Sequence, residues 1–261
     1  MLFDTHCHLD VSAFDADRPQ VLQRARAAGV AWMLNPAYDL ASSQRAARLA
    51  AQEEGVFAAV GIHPHACAEW DAHAADTLRR LATGAAVVAI GEIGLDYYRQ
   101  HATRKVQVLA FIEQIALARE LSLPIIVHCR NAYEDCLDIL RTQAQGIPCV
   151  LHAFSGEASH AQTALDLGCL LGIGGPITYP RAHMLREIAR QAPLEALIVE
   201  TDAPYLPPQD RRGRRNEPAA VKVVAEQLAH VRHMSLEDVV QATTDNAFRL
   251  FNLHTREARS T

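Results

Sequence analysis

The sequence has no C-x-x-C pair, no apolar stretch long enough to span a membrane, few aromatic residues and no excess of positive charge. Its six cysteines, Cys7, Cys67, Cys129, Cys136, Cys149 and Cys169, are scattered. That spacing excludes a zinc-finger framework or a small disulfide scaffold, and reduced thiols in a cytoplasmic protein are the simplest expectation. The opening residues, Met1-Leu2-Phe3-Asp4-Thr5-His6, contain no basic segment followed by an apolar run, so neither a secretory leader nor a membrane anchor is expected. A net charge of −5 excludes a chain that coats nucleic acid through overall positive charge and leaves only local basic patches open. Aromatics make up 6% while alanine is abundant, which favours helices packed closely on another layer.

What is present is a regular alternation. Across 261 residues, eight short β-rich runs begin near Leu2, Val30, Val56, Ala86, Pro124, Pro148, Cys169 and Ala196. They end near His8, Asn35, His63, Glu92, His128, His152, Gly174 and Asp202. Helical patterns separate them at Pro19–Ala28, Ala41–Glu54, Ala72–Ala82, Thr103–Leu121, Ala132–Gln143, Ala158–Leu167 and Arg181–Gln191. Gly29, Gly55, Gly146 and Gly168 fall where left-handed helix caps are expected. Two further helices, Pro218–His230 and Leu236–Phe251, follow the last run, with Ser235 as the N-cap of the second. With no break in composition, the expectation is one domain over 1–261, a (β/α)8 TIM barrel with additional C-terminal helices. The alternative is an open doubly wound sheet. A nucleotide-binding sheet of that kind carries glycines in its first turn, and Thr5-His6-Cys7-His8-Leu9-Asp10 has none.

In a β/α barrel the active site lies at the C-terminal strand ends. Six candidate ligands end five of the runs: His6 and His8 the first, Glu92 the fourth, His128 the fifth, His152 the sixth and Asp202 the eighth. Strand alternation predicts that each continues an inward row: Leu2, Asp4, His6 and His8; Val88, Ile90 and Glu92; Ile126 and His128; Val150 and His152; Ile198, Glu200 and Asp202. Four imidazoles and two carboxylates in one cavity need a compensating cation. A nitrogen and oxygen set without thiolate suits a divalent ion such as Zn, Mg or Mn. The expected arrangement has two ions, one on His6, His8 and Asp202, the other on His128 and His152, with Glu92 bridging them. His73, His101, His160, His183, His230, His233 and His254 fall on helices or connections and read as surface residues. Cys7 and Cys129 read as small packed residues beside the candidates.

The ordered segments DTHCHLD at Asp4, GIHPH at Gly61, GEIGLDYY at Gly91, PIIVHCRNA at Pro124, LHAFSG at Leu151 and ETDAPYLPP at Glu200 resemble the TatD family of metal-dependent deoxyribonucleases, a branch of the amidohydrolase-like hydrolases. The stretch ending in Arg215-Asn216-Glu217-Pro218 and the late Thr244-Asp245-Asn246-Ala247 segment also fit. The resemblance implies a TIM barrel, divalent-metal dependence, hydrolysis of DNA phosphodiesters, and ligation by His6, His8, Glu92, His128, His152 and Asp202. Beyond the ligands, His63 is a candidate to hydrogen-bond a substrate phosphate. Glu200, one pleat below Asp202, is a candidate to orient a water or a ligand histidine.

The expected reaction is attack by hydroxide activated at a two-metal centre, with Asp202 as general base and no covalent nucleophile. The rival enzyme reading is a small-molecule amidohydrolase acting on an amide or cyclic ester. Many of those bridge their metals with a carboxylated lysine on the fourth strand, where this chain offers Glu92. A rival of another class is a metal-dependent binding protein without turnover. DNA is the expected partner, held by its phosphate backbone, and the loop carrying Arg211, Arg212, Arg214 and Arg215 is expected to hold it at the barrel mouth.

Overall fold

Each β-rich run becomes a strand of one parallel sheet. In the computed structural model, which describes residues 1–99 and 101–253, the strands are β1 (Leu2–Asp4), β2 (Val30–Pro36), β3 (Val56–Val60), β4 (Val87–Asp96), β5 (Ile125–Arg130), β6 (Cys149–Leu151), β7 (Leu170–Ile173) and β8 (Leu197–Val199). They pair in sequence order. Helices α1 (Arg18–Ala27), α2 (Leu40–Gln52), α3 (Ala72–Leu81), α4 (Arg104–Leu121), α5 (Tyr133–Gln143), α6 (Ala158–Asp166) and α7 (His183–Gln191) fill the crossovers, and α8 (Val221–Arg232) and α9 (Leu236–Phe251) follow. The ring closes just past the strand ends: the amides of Thr5, Asp202 and His8 donate to the carbonyls of Val199, His6 and Ala203 at 3.2, 2.8 and 2.7 Å. This is the expected (β/α)8 barrel, and its closing seam carries His6, His8 and Asp202.

The sheet is buried on both faces, as a parallel sheet covered by helices must be. Val30, Val56, Ile125 and Leu197 pack outward with helix residues such as Leu22, Leu78 and Phe111. Inward, Leu34, Ala59, Val88, Ile126, Val150 and Ile198 form a separate cluster joined by residues of α9. Phe248 and Phe251 of α9 each stand 6.0 Å, centroid to centroid, from Phe3. The Thr244 hydroxyl donates to the Met1 carbonyl at 3.1 Å, and the Asn246 amide donates to the carbonyls of Leu194 and Leu197 at 2.8 Å each. These bonds pin α9 beneath the N-terminal ends of β1 and β8, so it plugs the barrel opposite the mouth.

Local chemistry sets the boundaries. Asp39, Asp71, Thr103 and, as expected, Ser235 cap their helices by accepting a backbone N–H three residues on. Gly29, Gly55, Gly146 and Gly168 all have positive φ. At Gly55 (φ +75°) a Cβ would lie 2.3 Å from the Ala31 carbonyl oxygen.

Beyond β3 and β8, which each stop three residues before their expected ends at His63 and Asp202, two strands depart further from expectation. β1 stops at Asp4 rather than His8 because the Asp4 carboxylate takes the amides of Thr201, at 2.9 Å, and His6, at 3.4 Å, which ends the ladder. β4 runs on to Asp96 because its pairing with β5 resumes, Leu95 opposite Cys129 and Asp96 opposite Arg130, after a register shift between Ile90 and Ile93. The inward rows are corrected with them. Leu2 and Ile90 pack on the helix side, while Phe3, Val88 and Ala89 lie in the interior cluster. On β5, β6 and β8 the expected rows hold, with Ile126, Val150 and Ile198 inside.

Candidate metal centre

Short strands leave their following residues free of the ladder, and those segments line the mouth. His6 and His8 follow β1, His152 follows β6, Asp202 follows β8, and Glu92 and His128 lie within β4 and β5. Asp202 has a positive φ of 56°, which a short polar side chain tolerates better than most. The six residues converge around Glu92. Its Oε2 lies 3.4 Å from His6 Nε2 and 3.9 Å from His8 Nε2. Its Oε1 lies 2.7 Å from His128 Nδ1, 3.0 Å from His152 Nε2 and 3.5 Å from His63 Nε2. Asp202 Oδ1 stands 3.4 Å from His8 Nε2 and 3.7 Å from His6 Nε2. The His152 ring stacks on His6 with centroids 3.8 Å apart, so it stands between the two groups rather than with His128 alone.

The donor set fits a divalent cation. His6 Nε2 and His8 Nε2 face each other at 3.3 Å. Ligand atoms bound tetrahedrally at ~2.0–2.1 Å stand roughly 3.3–3.4 Å apart. Donor atoms of His6, His8 and Glu92, of His6, His152 and Asp202, and of His63, Glu92 and His128 each lie within 4.8 Å of one another. The far nitrogens of three imidazoles are backed by oxygen acceptors, as in metal-ligating histidines generally: His8 Nδ1 by the Pro36 carbonyl at 3.2 Å, His152 Nδ1 by Glu200 at 3.2 Å and His128 Nε2 by Asp96 at 3.3 Å. His6 Nδ1 is buried with no partner among the described residues.

Glu200 is buried and also accepts the Ala153 amide at 2.5 Å, so it holds His152 and the chain beside it. His63 Nδ1 accepts the His65 amide at 3.1 Å. In a neutral ring the proton then sits on Nε2, facing Glu92. Two residues that sequence reasoning did not single out join here. Asp96 accepts from His65 Nε2 at 2.7 Å as well as facing His128. The available signal is spacing alone: Asp96 lies four residues after Glu92 within GEIGLDYY, and His65 two residues after His63 within GIHPH. His101 is exposed, as expected of a surface residue, yet its ring centroid lies 4.6 Å from that of His65. Cys7 and Cys129 are buried, as expected of packed residues. His254 lies outside the described residues.

Burial opposes charge throughout the cluster, so the net shifts show where neighbours outweigh it. Burial, reinforced by His152, lowers the pKa of His6. Burial drives His63 down to about 3. For His128, Asp96 and Glu92 overcome burial and raise it to about 8. Against the same burial, Asp202 and Glu92 raise His8, and Glu92 and Glu200 hold His152 well above the usual imidazole value. Glu92 and Asp202 are lowered by the surrounding histidines despite burial. The side chains alone therefore place imidazolium charge around two ionised carboxylates, where a divalent cation can replace protons.

The loop after β8 is tied to this cluster. Asn216 is buried and its amide donates to the carbonyls of Thr201 and Tyr205 at 2.9 and 2.8 Å. Arg215, expected to face a nucleic-acid backbone, is engaged instead with Asp17 at 2.7 Å, Glu217 at 3.0 Å and the Ala13 carbonyl at 2.6 Å. Arg211, Arg212 and Arg214 are exposed.

Residues 3–252 match the family model described as TatD related DNase. The chain is 38% identical over 255 residues to a protein named uncharacterized metal-dependent hydrolase YabD of Bacillus subtilis, covering 97% of this chain and all of the other. It is 40% identical over 259 residues to the 3'-5' ssDNA/RNA exonuclease TatD of Pantoea ananatis, with coverage of 97% and 100%. Among solved structures, YJJV, a TatD homolog from Escherichia coli, superposes with a TM-score of 0.91 at 34% identity, covering 96% of this chain and 98% of the other.

Proposed function

The chain belongs to the TatD related DNase family, and on that premise we propose that it is a metal-dependent deoxyribonuclease hydrolysing DNA phosphodiester bonds at the cluster around Glu92. The observation that carries this reading is the division of one carboxylate: Oε2 faces His6 and His8, while Oε1 faces His128, His152 and His63. A shared carboxylate between two imidazole groups suits a pair of divalent ions, Zn, Mg or Mn. Such ions, when bound, supply an acidified water and offset phosphate charge.

The chain's own residues do the rest. His6, His8, Glu92, His128, His152 and Asp202 are the ligands. Asp202, whose side chain is 14% exposed against 4% for Glu92, is the carboxylate that reaches an entering water and takes its proton. Glu200 is a positioning residue that fixes His152 through Nδ1. His63, neutral and carrying its proton on Nε2, donates to a nonbridging phosphate oxygen. Arg211, Arg212 and Arg214 hold the flanking backbone.

We read residues 1–261 as a single hydrolase domain. No helix among the described residues is long and apolar enough to cross a membrane, and six free cysteines support a cytoplasmic location. The test is end-labelled single- and double-stranded DNA supplied to metal-reconstituted protein beside a panel of amides and cyclic esters. Metal-dependent cleavage of DNA is expected; turnover confined to the amide panel would overturn the nuclease reading.

A further inference from the structure

The chain has two tryptophans, six tyrosines and seven phenylalanines. Among the described residues, the aromatic side chains exposed at the surface are Tyr38, Tyr98 and Tyr205, at 40%, 59% and 54%. All three stand on loops at the C-terminal mouth, after β2, β4 and β8. Their clustering at the one face that carries the chemistry, rather than exposure alone, makes them available to a ligand with apolar faces.

Their placement is specific. Tyr38 lies parallel to His63, centroids 5.0 Å apart, and covers it. The amide of Tyr205 donates to the Asp202 carbonyl at 2.7 Å, and its ring centroid is 5.8 Å from that of His8. The amide of Tyr98 donates to Asp96 Oδ1 at 2.8 Å, beside His65 and His128. The exposed Arg130 guanidinium stacks 4.2 Å from the Tyr98 ring centroid. In an eight-stranded barrel paired in sequence order, the β8–β1 seam lies opposite β4 and β5. Tyr205 and Tyr98 therefore rise on opposite sides of the mouth with the Glu92 cluster between them.

We propose that Tyr98, backed by Arg130, and Tyr205 are base-stacking platforms that hold unpaired nucleobases of a single-stranded nucleic acid on either side of the candidate metal centre. This rests on the nuclease reading above and adds residues that select the substrate. Every base has an apolar face, so tyrosine platforms bind single strands with little regard to sequence. A duplex hides those faces in its own stack. The guanidinium on Tyr98 adds a cation beside the ring, suited to the adjoining phosphate.

The experiment measures binding of a labelled, phosphorothioate-linked strand by fluorescence anisotropy with metal-loaded protein. Matching DNA and RNA strands are run in parallel, each also made with abasic sites. Tyr98→Ala and Tyr205→Ala should each weaken binding of the base-bearing strands about tenfold and leave abasic strands within about twofold, while Tyr98→Phe and Tyr205→Phe retain binding. The same dependence should appear with DNA and RNA, since the shared chemistry is the base. Unchanged affinity in the alanine variants, or an equal loss on abasic strands, overturns the proposal, as does failure of the parent to bind any single strand. Binding that depends on the tyrosines in a protein that cleaves no strand would support the platforms and overturn the nuclease reading.

Discussion

Glu92 and Asp202 are both ionised carboxylates facing His6 and His8, yet their surroundings predict different consequences of substitution. Glu92→Ala takes an acceptor from both imidazole groups at once, so it should remove metal binding and turnover together. Cys7→Ala, at a buried residue whose thiol faces the Leu34 carbonyl at 3.6 Å, should leave metal content intact. Equal metal content in the two variants, read by elemental analysis, would rule out the shared-carboxylate role. Asp202→Asn keeps the shape but loses the proton acceptor, and activity should fall at least ~100-fold. Glu200→Gln should retain measurable turnover with metal held about 10- to 100-fold more weakly, because it acts through His152. Parent-rate hydrolysis by Asp202→Asn would refute the general-base assignment. Asp96 extends the same logic. It holds His128 Nε2 and His65 together, and sequence reasoning passed over it because β4 was expected to end at Glu92.

At the scale of elements, α9 and the loop after β8 do separate work. α9 plugs the end of the barrel away from the mouth, so Phe251→Ala should cost about 3–5 kcal/mol in denaturant unfolding while metal stoichiometry of the folded fraction stays the same. A loss of metal without a loss of stability would mean that α9 supports the centre directly. In the loop, neutralising Arg211 and Arg212 together should flatten the salt dependence of DNA binding by roughly one to two released counterions. Neutralising Arg215 should instead loosen the contact with Asp17 and Glu217 and leave that slope unchanged. The strand and helix alternation was legible because periodicity and glycine stops are local signals. The C-terminal mouth was legible because five runs ended in the histidine or carboxylate residues expected as metal ligands. What was not legible depended on irregular pairing: the shift between Ile90 and Ile93, and the Asp4 carboxylate that ends β1, are set by partners about 35 and 197 residues away. The pairing of Arg215 with Asp17 was hidden for the same reason, since Asp17 lies across the fold as the N-cap of α1 and nothing in the arginine cluster itself reveals it.

For the whole molecule, the proposed ligand set would have protons and divalent ions competing for the same side chains, and that competition predicts a pH dependence with a definite sign. Without metal, the folded pKa of His128 is raised to about 8, and those of His8 and His152 are raised as well. A histidine raised above its unfolded value of about 6.5 stabilises the fold fully below that pH and loses the contribution as pH climbs through the folded pKa. His63, lowered to about 3, acts below 6.5 and leaves the window above it untouched. The metal-free protein should therefore lose stability between about pH 6.5 and 8 from this cluster. Metal binding should strengthen over the same interval, because the ligand imidazoles must be deprotonated and fewer protons remain to be displaced. A ligand that binds only the folded chain raises its melting temperature in step with affinity. The gap in melting temperature between zinc-loaded and metal-free protein should thus widen from pH 6 to pH 8. Titration calorimetry at pH 7 in two buffers of different ionisation enthalpy should register proton release on loading. A gap that stays constant across that range, with no protons released, would mean that the ions bind elsewhere than among these imidazoles.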